Sequence, residues 1–163
     1  MISPGTKVDL SLRLQVVRNG TKEETTLKQL LNRRTIVSVY MKNNTGSCDR
    51  QNESLVADAP TLAALGYDVI ALSRDTCGSH LKYAAKKGVS YPLVSDPNDS
   101  FAKAVDSLVE KSMYGKTYIG PARAAFVLEK DGTVLAVVEK VDTSDHGAQL
   151  KAVVGSLPAA KAR

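Results

Sequence analysis

Cys48 is the residue whose type and position most clearly favour chemistry in this sequence. It lies in the segment YMKNNTGSCDRQ, residues 40–51, which follows a β-branched run and turns through Asn, Thr and Gly. The pattern predicts that Cys48 lies in the first turn of a helix, where free backbone N–H groups and the helix dipole favour a thiolate. We therefore predict a nucleophilic sulfur, with a buried inert thiol as the alternative.

The chain has only one other cysteine, Cys77, and two cysteines are too few to staple 163 residues by disulfides. The sequence has neither a Cys-x-x-Cys motif nor a Cys/His cluster. Zinc ligands usually come in such groups, so we predict no metal site, and nothing in the sequence requires a cofactor.

The charge of the chain permits contact with polyanions, because the net charge is +5 and the pI is about 9.2. The basic residues are nevertheless scattered, in the pairs 33–34 and 86–87 and in the tail AAKAR, and aromatic residues make up only 5% of the chain. We interpret these charges as solvated surface and predict no nucleic-acid role.

Membrane and export signals are also missing from the sequence. No stretch approaches the ~20 apolar residues of a membrane span, and the N-terminal MISPGTKVDL has no apolar run of signal-peptide type. We therefore expect a soluble cytoplasmic protein, and the length favours one domain over residues 1–163.

Strand and helix patterns alternate in the first part of the chain. The segment LSLRLQVV followed by Asn19-Gly20 predicts a strand and a hairpin turn, and TTLKQLLNRR has leucines at helical spacing. A helix is predicted over residues 47–65, interrupted near Pro60, with Asp58 capping a second piece; a later helix, SHLKYAAKK, ends at Gly88. Three short apolar runs predict buried strands: TIVSVY, YDVIALS and YPLVS.

The last part of the chain predicts a hairpin and a helix. RAAFVLEKDGTVLAVVEKV contains two alternating strands joined at Asp131-Gly132, and a helix is expected over residues 147–154. Strands that alternate with helices pair in parallel, so the sequence predicts an α/β protein. The order is similar to the thioredoxin-like fold, a mixed central sheet with helices on both faces.

Four segments resemble the peroxiredoxins. VYMKNNTGSCDRQ is similar to their Pro-x-x-x-Thr-x-x-Cys loop, and most similar to the loop of the bacterioferritin-comigratory or Q-type branch. ALSRDTCGSHLKYAAKKGVSYPLVSDPN, MYGK and ARAAFVLEKDGTV resemble further segments of that branch, in the same order. The resemblance extends over residues 10–141 and implies a thioredoxin fold and a thiol peroxidase.

The resemblance also implies the roles of particular residues. Cys48 matches the peroxidatic cysteine, Thr45 a hydroxyl that contacts peroxide and thiolate, and Arg123 a guanidinium that stabilises the thiolate and polarises the O–O bond. Tyr40, with Thr45 and Arg123, is expected in the substrate site. On their own, Arg123 could equally form a surface ion pair and Thr45 could cap the helix.

Two residues of the loop depart from the family pattern. Met41 stands where the motif has its proline, and Gly46 stands where this branch usually has a second one. Met41 can still cover the sulfur with apolar bulk, but it neither fixes φ nor removes a backbone donor. A slower peroxidase or an altered substrate preference is the expected consequence.

Cys77 is the candidate thiol to capture the sulfenic acid formed on Cys48. The two positions where the family usually has this cysteine are occupied here by Glu53 and Ala84. A right-handed crossover brings the ends of the strands before Cys48 and Cys77 to one end of the sheet, so we expect an intramolecular Cys48–Cys77 disulfide after local unwinding. An external thiol that resolves Cys48 is the alternative.

The predicted function is reduction of hydrogen peroxide and organic hydroperoxides, with recycling by thioredoxin or a similar dithiol donor. The rival interpretations are a one-cysteine peroxidase and a non-catalytic redox sensor. The branch that the chain resembles suggests a monomer. His80 and His146 have no spacing that connects them to Cys48, and we expect them at the surface or at helix ends.

Overall fold

The computed structural model describes residues 1–158, with the backbone alone for Met113. Nine strands lie within these residues: β1 (Arg13–Arg18), β2 (Thr21–Thr26), β3 (Thr35–Val39), β4 (Asp68–Ser73), β5 (Leu93–Ser95), β6 (Leu108–Met113), β7 (Lys116–Pro121), β8 (Ala124–Leu128) and β9 (Val134–Val138). The same residues form five helices: α1 (Leu27–Leu30), α2 (Gly46–Ala64), α3 (Cys77–Lys87), α4 (Ser100–Ala104) and α5 (His146–Gly155). The tail AAKAR, residues 159–163, lies outside the described residues.

Seven of the strands in residues 1–158 form one mixed sheet, in the order β2-β1-β5-β4-β3-β8-β9. Strands β3, β4 and β5 are parallel, whereas β1 is antiparallel to β5 and β8 is antiparallel to β3. The predicted parallel pairing of β3 with β4 is confirmed, as are the hairpins at Asn19-Gly20 and Asp131-Gly132. The segments that carry Cys48 and Cys77 therefore leave the sheet at the same end.

Helices cover both faces of the sheet, as predicted. One apolar core lies between the sheet and the short helices α1 and α4, which contribute Leu27 and Phe101. The other core contains Leu55 of α2, Tyr83 of α3 and Leu150 of α5, and Cys48 belongs to it. No helix within residues 1–158 is both long enough and apolar enough to span a membrane.

Helix α2 is continuous, so the predicted interruption near Pro60 is wrong. Pro60 is exposed in the last turns of the helix. It has no backbone N–H, so the carbonyl oxygen one turn earlier loses its helical partner, and near the surface water can take that place. Asp58 does not cap a second helix and instead pairs with Lys151 of α5 at 3.4 Å. Gly147 of α5 faces the same carboxylate, and a Cβ at that position would lie 1.9 Å from the Asp58 Oδ2 atom. The absence of a side chain at Gly147 is therefore what lets α5 approach α2.

A second, two-stranded sheet formed by β6 and β7 was not predicted. Its turn places Tyr114 and Gly115 at φ angles of 52° and 76°, the left-handed conformation typical of a tight hairpin. The strands were missed because LVEKSM and KTYIGP do not alternate cleanly between apolar and polar residues. The hairpin exposes apolar side chains, including 57% of Ile119 and 97% of Tyr114.

Candidate active site

Cys48 lies in the first turn of α2, as predicted, immediately after the loop that leaves β3. Its side chain is 1% exposed. The backbone N–H of Met41 donates a hydrogen bond to the Cys48 Sγ atom at 3.4 Å. The loop therefore folds back over the start of the helix and places a backbone donor on the sulfur.

Thr45 occupies the N-cap position of α2, but its hydroxyl does not cap the helix. The hydroxyl donates to the carbonyl oxygen of Lys42 at 2.7 Å. It also lies within hydrogen-bonding reach of Cys48. Because the hydroxyl carries one proton, these two bonds are alternatives, and a small rotation transfers the donor from the loop to the sulfur.

Arg123 directly precedes β8, which pairs with β3 and so brings the guanidinium over the start of α2. Its Nη1 atom donates to the Gln51 Oε1 atom at 2.7 Å, and its Nη2 atom donates to the Ser47 Oγ atom at 3.2 Å. Within residues 1–158 Arg123 forms no ion pair with a carboxylate, so its alternative role as a surface ion pair is not seen there. Two side chains on the first turns of α2 hold its planar fork beside Cys48.

The pKa of the Cys48 thiol is lowered by these neighbours. Burial alone would raise this pKa, because the charged form loses hydration. Hydrogen bonds from Thr45 and from the loop backbone, together with the positive charge of Arg123, outweigh that effect. The site therefore favours the thiolate, which is the nucleophilic form of cysteine.

A buried chain of hydrogen bonds continues behind Arg123. The amide nitrogen of Gln51 donates to the Ser38 Oγ atom at 3.0 Å, and Ser38 contacts the Nε2 atom of His146 at 3.0 Å. The Nδ1 atom of His146 faces the side-chain Oε1 atom of Gln149 at 3.2 Å, so Nδ1 carries the proton and Nε2 accepts from Ser38. This polarity directs the Gln51 carbonyl oxygen toward Arg123.

Tyr40 is fully buried, and its hydroxyl donates to the Asn43 Oδ1 atom at 2.6 Å. The Asn43 amide nitrogen in turn contacts the Ser79 Oγ atom and the His80 Nδ1 atom, both at 3.1 Å. The backbone N–H of Asn43 donates to Asp75 at 3.0 Å. The hydroxyl of Tyr40 is therefore engaged inside the protein, and the predicted substrate contact of Tyr40 remains a prediction.

Both histidines are completely buried, so the expectation that they lie at the surface is wrong, although His146 does begin helix α5. The Nε2 atom of His80 faces the Val94 carbonyl oxygen at 3.0 Å, and its Nδ1 atom accepts from Asn43. Burial lowers the pKa of both His80 and His146. Each histidine joins its own helix to a strand of the main sheet.

Cys77 begins α3 and is 4% exposed, but its sulfur faces a different part of the sheet from that of Cys48. The Cys77 thiol donates to the Gln15 Oε1 atom at 3.7 Å. Across the sheet, Gln15 of β1 is paired with Ser95 of β5, and Ser95 is paired with Ser73 of β4. On the next strand, the N–H of Tyr40 bonds to the carbonyl oxygen of Leu72, the residue before Ser73. Three strand spacings, or about 14 Å, thus separate Gln15, the partner of the Cys77 thiol, from Tyr40, which precedes the backbone donor to Cys48. Both thiols are free.

Comparison with known proteins identifies the family. The model of the AhpC/TSA family matches residues 6–137 of the chain. Peroxiredoxin Bcp of Xanthomonas campestris is 33% identical over 143 residues, which cover 88% of this chain and 86% of that protein. The chain belongs to the AhpC/TSA family.

Further relatives identify the branch of this peroxiredoxin. Peroxiredoxin Bcp of Escherichia coli is 30% identical over 124 residues, covering 76% of this chain and 80% of that protein. A solved structure of Xanthomonas campestris peroxiredoxin Q superposes with a TM-score of 0.83 at 28% identity and covers 94% of this chain and 97% of that one. The protein is thus a peroxiredoxin of the bacterioferritin-comigratory or Q-type branch, with the thioredoxin-like fold, and the predicted thiol peroxidase class is confirmed.

Three buried polar residues support the predicted ones in roles that were not predicted: Gln51, Asn43 and His146. Gln51 follows Cys48 by three positions on one helix, so helical spacing alone places both side chains on the same face. Asn43 lies in the quoted loop, but two of its side-chain partners, Ser79 and His80, come from α3. His146 is 108 positions from Ser38 in the sequence, and no local pattern connects the two.

Proposed function

We propose that this peroxiredoxin reduces hydrogen peroxide and organic hydroperoxides through Cys48. The thiolate sulfur attacks the terminal peroxide oxygen, the O–O bond breaks, and Cys48 becomes a sulfenic acid. The remaining oxygen leaves as hydroxide or alkoxide and takes a proton to become water or an alcohol. The observation that carries this proposal is the buried Cys48 sulfur under the Met41 N–H, in the first turn of α2 and beside Arg123.

Arg123 and Thr45 are proposed to act on the peroxide. A guanidinium is always charged and offers several N–H donors, so it suits both the thiolate before attack and the oxygen that gains charge as the O–O bond breaks. The Thr45 hydroxyl is held by one carbonyl and is free to turn toward the sulfur or a bound peroxide. Tyr40 is proposed to contribute to this site indirectly, by holding Asn43 of the loop through a hydrogen bond.

Support for organic substrates comes from a related structure. A solved structure of the Xanthomonas campestris bacterioferritin comigratory protein, 27% identical with a TM-score of 0.83, is described as giving insight into the alkyl peroxide reduction activity of that protein. The exposed apolar hairpin near the site, with Ile119 and Val109, offers surface that an alkyl group would contact. We therefore propose alkyl hydroperoxides as substrates together with hydrogen peroxide.

Cys77 is proposed to complete the cycle. Its thiol attacks the sulfenic sulfur of Cys48, an S–S bond forms and water leaves; a dithiol donor such as thioredoxin then reduces the disulfide and is itself oxidised. The separate surroundings of the two sulfurs mean that local unwinding must come first. They also favour, as a second candidate, a one-cysteine cycle in which an external thiol attacks Cys48 directly.

A steady-state assay with hydrogen peroxide and a thioredoxin system tests the proposal. We expect consumption of many equivalents of peroxide for each protein molecule. Oxidation that stops after one equivalent, with any dithiol or monothiol donor, would instead support the redox sensor. Turnover that requires a monothiol and does not occur with thioredoxin would support the one-cysteine cycle.

The setting of the enzyme is part of the proposal. A cytoplasmic location fits a cycle that ends with reduction by a dithiol, since that compartment keeps thiols reduced. We further propose a monomer in which residues 1–163 form one domain and which has no nucleic-acid partner. Sedimentation of the reduced protein at micromolar concentration tests the monomer, and a stable dimer would replace it.

A further inference from the structure

Lys111 lies on β6, in the hairpin that stands apart from the main sheet, and its side chain reaches across that hairpin toward the active site. The side chain passes Gly120 on β7, where a Cβ would lie 3.5 Å from the Lys111 Cδ atom, an ordinary van der Waals distance. The aliphatic stem of Lys111 therefore crosses the bare backbone of the neighbouring strand. The ammonium group therefore lies against the loop between β3 and α2, which contains Met41.

The ammonium group of Lys111 contacts Met41, the residue whose backbone N–H donates to the Cys48 sulfur. The Nζ atom of Lys111 lies 2.6 Å from the Met41 Sδ atom. The backbone N–H of Met41 is the donor to the Cys48 Sγ atom. A thioether is a weak acceptor that carries no charge, so Met41 positions the ammonium without neutralising it.

No carboxylate within residues 1–158 forms an ion pair with Lys111. Arg123 and Arg74 lie near it with like charge, and the nearby Asp99 is already bound by the Arg74 guanidinium. Burial, followed by these two arginines, lowers the pKa of Lys111, whereas the charges of Cys48 and Asp99 raise it.

We propose that Lys111 is a second cation of the peroxidatic site, held there by the Met41 thioether, and that it stabilises the Cys48 thiolate together with Arg123. This role rests on the proposed function of Cys48. The family motif has a proline at position 41, which offers no sulfur to an ammonium group. In this chain the change to Met41 therefore supplies a contact for Lys111 as well as apolar cover for the sulfur.

The test is the thiol pKa of Cys48, measured from the pH dependence of iodoacetamide alkylation in Cys77→Ser protein, where Cys48 is the only thiol. Lys111→Met keeps the apolar stem and removes the charge, and it should raise this pKa by about 0.5 to 1 unit. Lys111→Arg keeps a charge at the end of a long stem and should restore most of the shift. Lys116→Met is the matched control, because Lys116 is exposed on the same hairpin and the change in net charge is identical.

The results have distinct meanings. An unchanged pKa in Lys111→Met would overturn the proposal, and so would an equal shift in Lys116→Met, because that shift would come from net charge alone. Failure of Lys111→Arg to restore the pKa would also refute a role for charge. None of these results depends on peroxide turnover, so a failure of the proposed function would be seen separately in the steady-state assay.

Discussion

Replacing Cys77 with serine separates the attack on peroxide from the step that follows it. The substitution is mild, since a serine hydroxyl can also donate to Gln15, the present partner of the Cys77 thiol. Cys77→Ser should consume the first equivalent of peroxide at a near-normal rate, because attack requires only Cys48, Thr45 and Arg123. It should then fail to turn over with thioredoxin, and Cys48 should proceed to sulfinic acid as peroxide is added.

The structure sets the size of the movement that the wild-type protein must make. The strand residues next to the two thiols, Gln15 beside Cys77 and Tyr40 before the loop that covers Cys48, lie about 14 Å apart, whereas the proposed disulfide would need Cα atoms within about 7 Å of each other. Closing that gap requires the loop before α2 to leave α3, which breaks the bonds of Asn43 to Ser79, His80 and Asp75. At a net value of about 1 kcal/mol for each bond, the open form lies about 3 kcal/mol above the closed one, or roughly one molecule in 150.

This opening predicts a sulfenic acid with a measurable lifetime. In wild type, a dimedone adduct on Cys48 should form when the trap is added with one equivalent of peroxide, and it should decline when the trap is added later. In Cys77→Ser the sulfenic acid should persist. Intact mass and peptide mapping report both species. Normal turnover of Cys77→Ser with thioredoxin, or an oxidised wild type that is a dimer linked through Cys48, would refute the intramolecular cycle.

Three further substitutions test the site. Cys48→Ser should reduce peroxide consumption by at least ~1000-fold with the fold intact by circular dichroism, since an alcohol is a poor nucleophile at neutral pH; near-normal activity would end the assignment of Cys48. Arg123→Ala should raise the pKa of Cys48 and slow the first oxidation, measured by stopped flow across pH; an unchanged pH profile would make Arg123 structural. His146→Leu should lower the free energy of unfolding by about 1–3 kcal/mol. It should also slow the first oxidation several-fold in the wild-type background but not in the Arg123→Ala background, because His146 acts through Arg123. Leu150→Val, which loses only packing in the same helix, is its control, and an equal slowing there would refute the coupling.

Much of the main sheet could be predicted because its signals are local. The turn at Asn19-Gly20 and the apolar runs of β3, β4 and β5 each carry their pattern within a few residues. The continuity of α2 through Pro60 could not be read in this way, since a proline removes one backbone donor and disturbs the preceding turn but need not end the helix. The β6 and β7 strands were missed because their pairing depends on a turn at Tyr114, a residue type that rarely adopts a positive φ.

The candidate site also contains parts that could be predicted and parts that could not. The position of Cys48 in the first turn of a helix could be predicted from the local sequence, and the positions of Thr45 and Arg123 beside it from the resemblance to a family pattern. The residues that hold them were not, because the partners of Arg123 and the buried neighbours of His146 meet only after the sheet has formed. The separation of Cys77 from Cys48 was also beyond the sequence, since strand order at one end of the sheet does not determine which way a helix turns its first side chain.

Asn43 bonds through its side-chain oxygen, through both hydrogens of its side-chain nitrogen and through its backbone N–H, and its partners include the elements before each cysteine. Release of the loop from Asp75, Ser79 and His80 removes contacts from both cysteine-bearing segments at once. The two segments therefore lose contacts together, and the free-energy cost of releasing the loop is met once. The proposed Cys48–Cys77 disulfide would form from this released state, and its reductant would meet the same released loop, so one opening would serve both the formation and the reduction of the bond.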